Sequence, residues 1–119
     1  MGIIAPPVTC YPVWELYAEV SVDDSHTFDS ETILVFSIEA NAEILVEALN
    51  RASDDEDDRS IPSARAFVQK WNSELEYDYA WQVRKVYRDV DGFLGLRVCA
   101  GIDDAYKQLQ EMADNWLSV

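Results

Sequence analysis

Between residues 13 and 22 the chain reads VWELYAEVSV, and apolar and polar positions alternate. Trp14, Leu16, Ala18, Val20 and Val22 fall on one parity, and Glu15, Tyr17, Glu19 and Ser21 on the other. A period of two held over this stretch predicts a half-buried strand whose second face is acidic. The polar run SVDDSHTFDSE then reads as a loop. TILVFSI at 32–38 is nearly unbroken β-branched and aromatic sequence, as expected of a central strand covered on both faces. The period then changes. Ala42, Leu45, Val46, Leu49 and Ala52 step by three and four, which predicts a helix, with Asn41 placed to cap it.

A second helix follows, with Pro62 in its first turn and a stripe of Ala64, Phe67, Val68, Trp71 and Leu75. YDYAWQVRKVYRDV returns to alternation, with Tyr77, Tyr79, Trp81, Val83 and Tyr87 on one parity. Asp91-Gly92 is a hairpin signal, and FLGLRVCAGI is the partner strand it predicts. Asp103 or Asp104 caps a last helix with a buried stripe of Tyr106, Leu109, Met112, Ala113 and Trp116. The order is ββα-α-ββα, and the resemblance between its two ends suggests a ββα duplication. The expected class is α+β: one domain over residues 1–119, an antiparallel sheet of about four strands with helices packed on one face.

Composition agrees with a folded domain. The chain has 119 residues, 49% of them hydrophobic, so a packed core is expected despite a net charge of −14. No apolar run approaches the roughly 18–20 residues of a membrane span, and the N-terminus lacks the features of a signal peptide. A cytoplasmic protein with no membrane partner is the expectation, with Cys10 and Cys99 as free, mostly structural thiols.

The distribution of charge says more than its sum. Residues 1–50 contain no Lys or Arg, and residues 1–58 carry fourteen carboxylates against one base, Arg51. Residues 59–119 are close to neutral, with nine acids and eight bases. Such asymmetry points to an electrostatic partner. The expected binding surface combines Glu15 and Glu19 on the first strand with Asp23 and Asp24 in the loop after it. Glu43 and Glu47 on the first helix and the run Asp54, Asp55, Glu56, Asp57 and Asp58 complete it. Like charges at i, i+4 are mildly destabilising in a helix, so Glu43 and Glu47 are not explained by helix stability. Tyr17 and Phe28 are candidate aromatic anchors beside this surface.

Chemical motifs are absent. No phosphate-binding glycine loop, nucleophile elbow or zinc-protease motif occurs in the sequence. The acidic run fails as a calcium loop, because Arg59 stands where the tight-turn glycine is required and Arg65 where the bidentate Glu is required. His26, the one histidine, has no converging partners and reads as solvent-exposed. No catalytic residue, metal or cofactor is expected. Direct nucleic-acid binding is disfavoured, since phosphate affinity comes from Lys and Arg. The cluster Arg84, Lys85, Arg88 and Arg97 is expected to be neutralised by Asp78, Asp89 and Asp91.

In charge and length the chain resembles the class of small acidic inhibitors that occupy nucleic-acid-binding grooves, including antirestriction and anti-CRISPR DNA mimics. Immunity proteins against nuclease toxins share this look. The resemblance implies a non-enzymatic inhibitor, monomer or homodimer, that binds a basic nucleic-acid-binding protein or nuclease. Salt adaptation of a small ligand-binding or minor enzymatic α+β domain is the competing explanation. It predicts acidity throughout, whereas the second half is nearly neutral.

Overall fold

The computed structural model describes residues 10–75, 77–88 and 98–116. Its elements run β1 (Tyr11–Asp23), β2 (His26–Asp29), β3 (Leu34–Phe36), α1 (Glu39–Asp54), α2 (Pro62–Glu74), β4 (Asp78–Arg88), β5 (Val98–Cys99) and α3 (Ile102–Asn115). The class is α+β, with three helices against a five-stranded sheet.

β1 is the spine of that sheet. β4 runs antiparallel along one edge, from Tyr11 opposite Arg88 to Ser21 opposite Asp78. The other edge is shared: β3 pairs with Trp14–Leu16, and β2 with Glu19–Asp23. β5 lies outside β3 and pairs with it in parallel, Val35 beside Val98 and Phe36 beside Cys99. The sheet is therefore mixed rather than wholly antiparallel. The turn expected at Asp91-Gly92 lies outside the described residues.

Alternation along β1 decides which face carries the core. Leu16, Ala18 and Val20 are fully buried and join Leu34, Phe36 and Trp81 in one apolar cluster. The helices close it with Leu45 and Leu49 from α1, Phe67 and Val68 from α2, and Ala105 and Leu109 from α3. Each large side chain so buried contributes about 1.5–3 kcal/mol relative to exposure, which offsets the entropy lost on ordering the chain. All three residues of β3 are buried, as expected of a strand covered on both faces.

Three local expectations need correction. Residues 26–29 are not loop: they fold back on β1 as β2, all four exposed, with too few apolar positions to announce a strand. α1 starts at Glu39 with Ile38 as its N-cap, so Asn41 lies inside the first turn and does not cap it. α3 starts after Gly101, and Asp104 acts from within the helix, its Oδ2 accepting the Ala100 N–H at 2.9 Å. The duplication gains no support from the pairing. β1 and β3 pair directly, whereas β5 is bonded to β3 and not to β4 among the described residues.

Candidate functional site

The largest departure from expectation is Glu15. Its parity places it on the sheet face opposite the helices, yet its side chain is 0% exposed. The cause is cross-strand register. β4 brings Arg84 directly opposite Glu15, and Arg88 reaches the same carboxylate from four residues further along. Arg88 Nε donates to Glu15 Oε1 at 3.2 Å and its Nη2 donates to the same oxygen, while Thr32 Oγ1 donates to Oε2 at 3.2 Å. Arg84 lies 3.6 Å from both Glu15 and Asp29, and its guanidinium sits 4.6 Å above the Tyr17 ring. Burial acts to raise the Glu15 pKa, but Arg88, Thr32 and Arg84 together hold it below its ordinary value.

Glu15 is thus an internal anion and no part of an exposed acidic surface. Tyr17 is likewise half-buried beneath Arg84 and is not an open anchor. Glu19 shares this sheet face, turned away from the helix layer, so the strand carboxylates and the α1 carboxylates do not form one field. Arg84 and Arg88 are neutralised by Glu15 and Asp29, and Arg97, Asp89 and Asp91 lie outside the described residues.

At the β1–β2 turn, Asp23 accepts the Ser25 N–H at 2.8 Å, and His26 Nδ1 lies 2.8 Å from its carboxylate. These bonds, the Ser25 backbone bond first, lower the Asp23 pKa. Asp24 is exposed beside them. The His26 side chain is 74% exposed and lines neither groove discussed below. Exchange of His26 for alanine is expected to move stability by no more than about 0.5 kcal/mol, because an exposed ion pair contributes little. Chemical denaturation of the His26→Ala variant measures it, and a loss well above that figure would show the turn to be structurally important.

What the fold does bring together is on α1. Glu43, Glu47, Asp54 and Asp55 line one open groove of about 570 Å³ with Val46, Asn50, Arg51 and Val83. Its floor is apolar because Val46 is half-buried and Val83 comes across from β4, on the parity that faces the helices. Asn50 ties the two walls together, its Oδ1 accepting the Trp81 N–H at 3.3 Å. Arg51 is the one base in the groove among the described residues, and its Nη2 pairs with Glu47 at 2.8 Å. Ile44, 46% exposed, stands beside Glu43 and Glu47 on the same helix. Sequence reasoning passed over Ile44, although its place outside the buried stripe was the available signal. Phe28, the other candidate anchor, is 48% exposed but sits on β2.

The acidic run after α1 is a built turn. Asp55 Oδ1 accepts the Asp57 N–H at 2.9 Å, and Asp58 N–H returns to the Asp55 carbonyl at 3.1 Å. Asp58 Oδ1 accepts both the N–H and the hydroxyl of Ser60, which, with Arg51 and Arg65 nearby, lowers the Asp58 pKa. Arg59 Nη1 caps the Glu56 carbonyl at 2.6 Å. Beneath the turn, Arg65 is only 6% exposed and donates Nη1 to the carbonyls of Ala52 and Asp55, at 2.7 and 3.0 Å. These are carbonyls at the C-terminal end of α1, where a cation is favoured. Arg65→Met keeps the buried stem but leaves both carbonyls without that donor, so a loss of about 1.5–3 kcal/mol is expected. Hydrogen exchange should report it as loosened protection over residues 52–60, and unchanged protection would show that Arg65 does not hold the turn.

No protein-family model matches this chain, and no curated protein or solved structure is significantly similar to it. What the site does must therefore be argued from its own chemistry. Among the described residues, no group of His, Cys, Asp and Glu is arranged to hold a metal ion, and no helix is long and apolar enough to cross a membrane. Cys10 is exposed and Cys99 buried, and neither is in a disulfide among the described residues.

Proposed function

We propose that this protein is a non-enzymatic acidic inhibitor whose α1 groove receives basic side chains of a nucleic-acid-handling protein, in the manner of a DNA mimic. The observation that carries the reading is the groove itself, where Glu43, Glu47, Asp54 and Asp55 surround the apolar floor of Val46 and Val83. From residue 43 to residue 54 the helix rises about 17 Å. One strand of B-DNA carries about five phosphates over that length. Four carboxylates, reduced to a net −3 by Arg51, reach about three-fifths of that one-strand density.

Carboxylates held in helical register need no ordering on binding, so their attraction for Lys and Arg is not offset by lost loop entropy. The apolar floor and Ile44 supply the desolvated contact that charge alone does not, since carboxylates chiefly direct encounter and specificity. The reading rests on the α1 ridge and the turn after it, and no longer on the strand.

The test is capture of binding proteins from a host lysate, followed by competition with duplex DNA. A captured nucleic-acid-binding protein that duplex DNA displaces supports the reading. A captured partner indifferent to both DNA and salt overturns it.

A further inference from the structure

A second groove, unrelated to the acidic one, lies between the β2–β3 connection and helices α2 and α3. It has a volume of about 600 Å³, within the usual range for small-molecule sites, and Ile33, Phe67, Trp71, Met112 and Trp116 form its walls. We propose that it binds a small organic cation with an apolar body, of the quaternary-ammonium class.

The walls have the geometry such a ligand needs. Trp71 and Trp116 stand nearly perpendicular, at 83°, with ring centroids 6.1 Å apart. Phe67 closes the floor 5.6 Å from Trp116, at 66°. Trp71 keeps its indole N–H buried and without an acceptor among the described residues, so the surface it gives the groove is ring carbon. Electron-rich rings set at right angles attract a cation that has little to gain from hydrogen bonding. Both tryptophans remain only partly buried, although they belong to the aromatic cluster that also holds Tyr79 and Trp81.

The rim decides the sign of the ligand. Among the described residues its polar members are Ser30, Glu31, Thr32 and Asn115, and no Lys or Arg lines the groove. Ser30 Oγ donates to the Glu31 carbonyl and accepts the Ala18 N–H, so both its roles are taken. Thr32 Oγ1 donates to Glu15 and accepts from Arg84 Nη2. Asn115 donates one amide hydrogen to the Glu111 carbonyl, which leaves its second N–H and its oxygen. The Glu31 side chain is exposed and has no partner among the described residues. Among the described residues, the one full charge on the rim is therefore the negative charge of Glu31. A neutral apolar ligand would leave that charge unused, and an anion would be repelled by it.

Choline and its uncharged carbon isostere, dimethylbutanol, separate charge from shape. Titrations followed by tryptophan fluorescence and by the indole N–H resonances of Trp71 and Trp116 should show saturable binding. Choline is expected to bind about threefold to thirtyfold more tightly than the isostere. Glu31→Lys, at an exposed position, should reduce the preference severalfold, and Trp116→Leu should weaken both ligands. Equal affinity for the two probes would overturn the proposal, as would undisturbed indole resonances at saturating choline. Should Trp116→Leu fail to fold, Glu31→Lys remains decisive: a preference undiminished by charge reversal at the rim also overturns it.

Discussion

Exchange of Arg88 for alanine is expected to destabilise the fold by about 2–3 kcal/mol at neutral pH. The change removes two of the three hydrogen bonds to the buried Glu15 carboxylate and leaves Thr32 and the more distant Arg84. Deleting one partner of a buried pair typically costs about 3–5 kcal/mol, and the remaining Arg84 reduces that here. The effect carries a pH signature. In the wild type the Glu15 pKa is lowered, so its contribution is fully present above the ordinary glutamate value and is lost as pH falls through the lowered one. In the variant, burial loses its largest opponent and the folded-state pKa rises. The variant then takes up a proton on folding and gains stability as pH falls, so its deficit against wild type narrows in acid. Urea unfolding of both proteins at neutral pH and in mild acid checks this. A deficit that does not shrink would mean that Arg88 acts through packing and not through Glu15. The paired change Glu15→Leu with Arg88→Leu should fall within about 1 kcal/mol of wild type, because Arg84 keeps Asp29 as a partner.

Charge reversal on the α1 ridge is expected to leave the fold nearly intact and to slow association with a basic partner tenfold or more. Glu43 and Glu47 are exposed, and the only bond lost among the described residues is the i, i+4 pair between Glu47 and Arg51, a cost of about 0.5 kcal/mol. Two lysines in their place turn the groove from net negative to net positive, so steering is reversed and not merely reduced. Association rates at two ionic strengths distinguish the cases. Wild type should slow with added salt and the Glu43→Lys, Glu47→Lys protein should not. Replacing Asp54, Asp55, Asp57 and Asp58 with asparagine makes a milder comparison. Asparagine keeps the Oδ1 acceptors that Asp55 and Asp58 use in the turn, so this variant removes charge without dismantling the loop. A partner that binds both variants like wild type at both salts would leave the acidic run as a solubilising feature.

The helices and long strands were legible because each carries a period that only one backbone geometry can satisfy. The stripe Ala64, Phe67, Val68, Trp71 and Leu75 and the alternation of Leu16, Ala18 and Val20 are matched residue for residue by burial or packing against the core. β2 was not legible, since four exposed residues have no face to announce. Nor was the parallel β3–β5 pair, because strand neighbours are chosen by the whole sheet and not by adjacent sequence.

The charge shows the same division most clearly. That residues 1–50 hold only acids is a fact of sequence, and it implies that any bases facing them must come from elsewhere. Where they come from is tertiary. The β1–β4 register sets Arg84 against Glu15, cancels the acidic face of the first strand and turns an expected surface residue into an internal ion pair. Among the described residues no such strand lies over the outer face of α1, and Glu43 and Glu47 keep their exposure. The sign and amount of charge belong to the sequence because ionisation is a property of single residues at neutral pH. Which charges remain available to a partner depends on distances near 3 Å between residues some seventy positions apart, and only the folded chain sets those.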